Sequence, residues 1–205
     1  MGHETPFEIG VEARCTDGVC GWLKQVVIDP VKDVVTHVIV EPEHREGLGR
    51  LVPIDLVKAT DGGVEINATV SEFESLQRAE ATHFLPGIAG EFPYDPEEVL
   101  LWPYFGGNTT VPVTTDTVPV GEVAVRRGQQ VNATDGKVGE VDGFIVDTDN
   151  HHVTHLLLKE GHIFERKEVA VPISAVKSVK EDLTEVGLSK KEIEDLPAVS
   201  FSRRG

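Results

Sequence analysis

Two cysteines, one methionine and two tryptophans are spread over 205 residues, and aromatic side chains make up only 6% of the chain. Two cysteines are too few for a disulfide framework or a four-cysteine zinc site. No run of about 18 apolar residues occurs, so no membrane-spanning helix is expected. The start, Met1-Gly2-His3-Glu4-Thr5-Pro6, has no basic region leading into an apolar stretch, so no secretory signal is expected and the cytoplasm is the expected location. Positive charge is scarce as well. The chain has 19 Lys and Arg against 35 Asp and Glu, a net charge of −16. Residues 1–120 hold 20 acids against 7 bases, and residues 121–205 hold 15 against 12. Such a surface repels phosphate backbones, so direct nucleic-acid binding is not expected. The acidity serves solubility or a docking face for a basic protein partner. Reaction signatures are missing too: there is no Gly-x-Ser-x-Gly, no phosphate loop and no dinucleotide fingerprint. A non-enzymatic protein without cofactor is the expectation.

What the chain does have is a copy of itself. Thr16-Asp17-Gly18-x-x-Gly21 returns 118 positions later as Thr134-Asp135-Gly136-x-x-Gly139, and the match continues without a gap through Asp29/Asp147 to Val35-Thr36-His37/Val153-Thr154-His155. Over residues 16–40, 8 of 25 positions are identical. The period exceeds the 20–50 residues of solenoid repeats and indicates two copies of one small domain. The domains are placed at 8–82 and 120–200, joined by residues 83–119. Cores of such small domains lie near the lower limit for independent stability, so the two are expected to lean on each other or on the linker.

Each copy reads as short strands between tight turns. Asp17-Gly18 is a signal for a two-residue type I′ hairpin. It is followed by a Val/Leu/Ile-rich strand from Trp22 to Asp29, a turn near Pro30–Asp33 and the β-branched run Val34–Val40. Arg50–Ile54, with Pro53 marking a strand edge, and Val64–Ile66 complete five strands, and closure into a barrel would remove the exposed edges. Ser71-Glu72-Phe73-Glu74 and Ser189-Lys190-Lys191-Glu192 fit the capping box. A short helix is expected after each, carrying Phe73 and Leu76 or Ile193 and Leu196 onto the barrel. The linker holds six prolines together with Phe92, Tyr94, Leu100, Leu101, Trp102, Tyr104 and Phe105. That aromatic content predicts an ordered segment rather than a polar tether.

Several residues are candidates for a role. On an Asp17-Gly18 loop, Cys15 and Cys20 would face each other across the strands. Buried free thiols, a disulfide and metal ligation all stay open for them. His151, His152, His155 and His162 cluster in sequence, but adjacent strand residues point to opposite faces. The recurring Thr-His pair is expected to be partly buried and hydrogen-bonded, and no metal site is expected. Asp29 and Asp147 are expected to satisfy turn backbone donors. Trp22 is replaced by Glu140 in the other copy, so the core does not need it. Together with Leu101, Trp102, Tyr104 and Phe105 it is the expected interface, packing within the chain or against a partner.

The repeated unit resembles the PRC-barrel family. The resemblance rests on the Thr-Asp-Gly-x-x-Gly turn, Val26-Val27-Ile28-Asp29, Val35–Val40 and Leu51-Val52-Pro53-Ile54. Phe144-Ile145-Val146-Asp147, Thr154–Leu158, Gly161-His162 and Val171-Pro172-Ile173 are the counterparts in the second copy. It implies a mainly β protein of two small antiparallel β-barrels, each followed by a short capping helix and joined by the Pro- and aromatic-rich linker. It also implies a protein-binding or scaffold module, with a homodimer among its expected states. An RNA-processing or ribosome-assembly accessory is the alternative, resting on a basic face of Arg126, Arg127, Lys137, Arg166, Lys167, Lys177 and Lys180. A photosynthetic accessory like the reaction-centre H subunit, without its membrane anchor, is a third reading.

Overall fold

The structure is a computed structural model that describes residues 4–42, 49–60, 62–86, 110–160, 167–180 and 182–199. The chain is mainly β, and two curled sheets carry the duplication into three dimensions. In the first half, β2 (Glu12–Cys15), β3 (Gly18–Asp29), β4 (Val34–Glu41), β5 (Arg50–Pro53), β6 (Val57–Thr60) and β7 (Gly63–Ile66) lie in the order β5-β4-β3-β2-β7-β6. A 3-10 turn at Ile54–Leu56 leads from β5 to β6, and helix α1 (Val70–Ser75) follows β7. The second half repeats the order. There β11 (Gln130–Ala133), β12 (Gly136–Asp147), β13 (Val153–Glu160), β14 (Lys167–Pro172), β15 (Val176–Val179) and β16 (Leu183–Val186) run β14-β13-β12-β11-β16-β15, and helix α2 (Lys190–Glu194) follows. In both halves the pairs β2–β7 and β11–β16 are parallel and the others antiparallel. Bulges at Lys24 and Asp142, where the register with the neighbouring strand skips one residue, bend the long strands.

Each half is completed by a strand from the other. β1 (Glu4–Glu8) precedes the first repeat but pairs with β12, setting Phe7 opposite Phe144. β10 (Val123–Arg126) precedes the second repeat but pairs with β3, setting Val125 opposite Val26. The two registers are the same once the 118-residue offset is applied, so the exchange is reciprocal. Ile9, just beyond β1, donates its N–H to the Asp142 carbonyl at 2.9 Å. The halves also meet at their β3–β4 and β12–β13 turns. There Val35 N–H donates to His151 O (2.9 Å), Val153 N–H donates to Asp33 O (2.8 Å), and Val34 bridges His152. Asp33 and His151 both adopt left-handed φ, 53° and 59°, which aims these turns at each other. A single cluster of buried side chains therefore runs through both halves, from Ala13, Leu23, Val38 and Phe73 to Phe7, Phe144, Leu156 and Ile193. Residues 1–79 and 118–205 form one compact unit. The sequence showed the repeat but gave no sign that the leading strands are traded.

Two local expectations are corrected. The hairpin loop is Thr16-Asp17, with Cys15 paired to Gly18, and neither loop residue has positive φ. The aspartate is occupied elsewhere: Asp17 Oδ1 accepts the Val70 N–H (2.8 Å) and Asp135 Oδ1 accepts the Lys190 N–H (2.9 Å). Each turn thus holds a free backbone donor at the start of the following helix. The first capping box is likewise built from Thr69 and Glu72, two residues before the expected Ser71 and Glu74, while the second is Ser189 with Glu192 as expected. The sequence offset grows from 118 to 120 between the β4 and helix regions, and that shift misled the reading. Phe73 and Ile193 are buried, as expected of the helix faces.

Gly21 and Gly139 recur because a neighbouring strand crosses at contact distance. A Cβ on either would lie 2.1 Å from Glu41 O or 2.2 Å from Lys159 O. Between the two halves in sequence, β8 (Glu80–Pro86) and β9 (Thr110–Asp116) pair as a two-stranded antiparallel sheet, and Glu80–Thr117 is a compact unit of its own.

Candidate functional site

The outer face of β2–β3–β4 carries the feature that most sets the first half apart. Trp22 is 39% exposed and lies between Glu12 on β2 and Glu41 on β4, each directly opposite it in register. Val19, 48% exposed, lies further along β3. The equivalent triplet in the second half is Gln130–Glu140–Lys159. The same backbone therefore presents an aromatic between two carboxylates in one half and an ordinary polar row in the other. Packing does not demand an indole here. The Glu41 carboxylate lies 3.3 Å from Lys24 Nζ, and Glu12 pairs with Arg14. Leu101, Trp102, Tyr104 and Phe105, the other expected interface residues, lie outside the described residues. Sequence reading missed Val31 and Val120, which are almost wholly exposed. The pairing of Val123 with Ile28 brings their two turns to the same end of the sheet.

Charge positions are inverted between the halves. Lys24 and Glu41 in the first become Asp142 and Lys159 in the second, where Lys159 Nζ lies 2.5 Å from Asp142. Asp142 is nearly fully buried and also accepts from Arg127 Nε at 2.8 Å, and Lys159 reaches Glu168 at 3.6 Å. Arg127 directly follows the exchanged strand β10, so this network ties the exchange site to β12 and β13. A buried carboxylate holding two cations is a structural clamp.

The basic face expected of an RNA accessory is largely engaged by acids. Arg126 pairs with Asp182, Arg127 with Asp142, Lys137 with Glu140 (3.4 Å) and Lys180 with Glu185 (3.7 Å). Lys167 Nζ donates to the carbonyls of Glu194 and Leu196 at the end of α2. Arg166 lies outside the described residues.

The remaining candidates resolve into structural roles. His37 and His155 are partly buried, and each Nδ1 lies close to the preceding threonine Oγ1, at 3.1 and 3.0 Å. Glu122 Oε2 accepts from Thr36 Oγ1 (2.5 Å) and lies 3.6 Å from the same His37 nitrogen. Hydroxyl and carboxylate thus meet one ring nitrogen, whereas a catalytic relay needs them on opposite nitrogens. His151 faces Asp55 at 3.8 Å, and His162 lies outside the described residues. Among the described residues no three His, Cys, Asp or Glu side chains gather as a metal would require. Asp29 Oδ1 accepts the N–H groups of Val31 and Lys32, and Asp147 Oδ1 that of Asp149. The bond from Lys32, together with those backbone donors, holds the Asp29 carboxyl below its ordinary value.

Cys15 and Cys20 are buried free thiols. They are not a register pair, because the ladder shifts between Ala13 and Arg14, but the two thiols lie within hydrogen-bonding reach of each other. Cys20 Sγ points at Ala13 O, at 3.3 Å. Burial pushes both thiols above the ordinary value, which disfavours the reactive thiolate. An open groove of about 550 Å³ runs past Cys15, Asp55, Leu56, Lys58 and Asn67, with acids and bases balanced along it.

No helix among the described residues is long and apolar enough to cross a membrane. No curated protein matches the chain. Residues 127–185, which make up most of the second sheet with its edge strands β14 and β15, match the family model of the PRC-barrel domain.

Proposed function

We propose that the chain is a tandem PRC-barrel protein that works as a non-enzymatic protein-binding or scaffold module in the cytoplasm. The repeated order of strands and turns supports extending the match at 127–185 to the first half. On this reading each curled sheet closes as a barrel, and α1 and α2 cover its end. The observation that carries the binding role is Trp22: an exposed indole framed by Glu12 and Glu41, at a position where the duplicated scaffold holds Glu140. Tryptophan is enriched at protein interfaces, and aromatic anchors dominate interface energetics. The acidic first half suits a partner with basic groups around an apolar centre. The engaged basic side chains of the second half favour this reading over the RNA accessory.

The test is capture from native lysate with wild-type protein and Trp22→Glu as baits, compared by quantitative mass spectrometry. A partner retained by the wild type and lost from the variant supports the assignment. Indistinguishable capture profiles from the two baits count against it. RNA retained on a filter at physiological salt would favour the alternative.

A further inference from the structure

The contacts that complete each half come from the other half, and they are all non-covalent. The β1–β12 and β10–β3 ladders, the paired turns at Asp33 and His151 and the shared core specify which half meets which. They do not specify that both halves belong to one chain. Only the connection does that. It is the 38-residue stretch Glu80–Thr117, a compact unit whose two-stranded sheet shares no strand with the others. Within it Glu80 pairs with Asp116, which holds the two ends of the connector together. An isolated two-stranded hairpin is marginally stable in water. Fully extended, 38 residues reach at most roughly 130 Å, several times the ~15 Å radius of gyration of a unit this size.

We infer that the chain is a tethered strand-exchanged pair, and that opening of the β8–β9 hairpin lets the second half of one copy complete the first half of another. The partner is a second copy of this chain. The product is a closed dimer in which two composite units each keep every contact between the halves and give up only the β8–β9 pairing: β1 of one copy lies on β12 of the other, and β10 likewise on β3. No new interface is required, so the choice between monomer and dimer rests on the tether. A connector held closed by its hairpin gives an effective concentration on the order of millimolar, which favours the monomer at micromolar protein. Opening the hairpin lengthens the tether and lowers that effective concentration, which narrows the advantage at high protein concentration. This inference is independent of the partner-binding role of Trp22.

The test uses the full chain. Protein is unfolded in denaturant, refolded at about 1 µM and at about 1 mM, diluted to a common concentration and sized by chromatography with light scattering. Refolding at high concentration is expected to yield a species of twice 22.3 kDa that persists on dilution. The second arm is a lock. Thr82 and Thr114 are directly opposite in the β8–β9 ladder, so Thr82→Cys with Thr114→Cys closes the hairpin covalently when oxidised. Cys15→Ala and Cys20→Val, the residues found at 133 and 138, remove the native thiols. The oxidised chain, refolded at high concentration with its bridge intact, is expected to give monomer alone, and the reduced chain to regain the dimer. Monomer at every refolding concentration would overturn the inference. So would equal dimer from the locked chain, which would place the contact on another surface.

Discussion

Removing the Phe7 side chain should destabilise a half to which it does not belong in sequence. Phe7 is 3% exposed and lies opposite Phe144, itself 1% exposed, on the second sheet. Phe7→Ala deletes a buried ring and leaves a cavity between β1 and β12, a change that costs about 3–5 kcal/mol in well-packed cores. Because one core runs through both halves, the loss should appear in a single transition. For a unit of this size each kcal/mol lowers Tm by about 2–4 °C, so a fall of roughly 6–20 °C is expected. The assay is thermal unfolding followed by far-UV circular dichroism and by tryptophan fluorescence in a Trp102→Phe background, where Trp22 reports on the first sheet alone. The two probes should give one midpoint, and Phe7→Ala should lower both together. A Trp22 transition left in place while the circular dichroism splits would refute the shared core. A cost below about 1 kcal/mol would refute the burial of Phe7.

Other outcomes follow from particular contacts. Thr69→Ala and Ser189→Ala each remove a helix cap and should cost about 1 kcal/mol, measured by denaturant midpoint. The partner carboxylates Glu72 and Glu192 are held below the ordinary glutamate value, Glu72 chiefly by the Thr69 N–H and Glu192 chiefly by the Ser189 hydroxyl. A folded-state value lower than the unfolded one means stability present above the unfolded value and lost as pH falls through the folded one. The capping contribution should therefore be complete above about pH 4.3 and fade below it, and Ser189→Ala, which removes the chief hold on Glu192, should lose less on acidification than the wild type. Asp142→Ala leaves Lys159 and Arg127 without their shared carboxylate and should cost about 3 kcal/mol, whereas Lys24→Ala on the exposed side of the first half should cost less than 1. Cys15 and Cys20 should react with a thiol reagent at neutral pH far more slowly in the native protein than in denaturant. Equal rates would show the thiols to be accessible.

The duplication, the strand-rich class, the Asp29 and Asp147 turns and the partly buried Thr-His pairs were legible because each is a local pattern, read within a few residues. The second capping box was legible for the same reason. Its counterpart was misplaced because Ser71 and Glu74 satisfy the same spacing as Thr69 and Glu72, and only the bonds to Asp17 and Ala68 select the true register. Asp17-Gly18 misled in a similar way. Its aspartate has a distant partner, the N–H of Val70, which overrides the local turn preference. Strand exchange left no trace in the sequence. Phe7, between Pro6 and Glu8, would suit the edge of either sheet, so the choice depends on contacts more than a hundred residues away. Trp22 was legible as a candidate through its mismatch with Glu140, but its frame of Glu12 and Glu41 required the register of three strands.

The reciprocal exchange of leading strands can be read directly from interstrand nuclear Overhauser effects in isotopically labelled full-length protein. Contacts between the backbones of Phe7 and Phe144, and between those of Val125 and Val26, are expected. Contacts of Phe7 with Val26 and of Val125 with Phe144 would instead show two self-contained halves and contradict the architecture described.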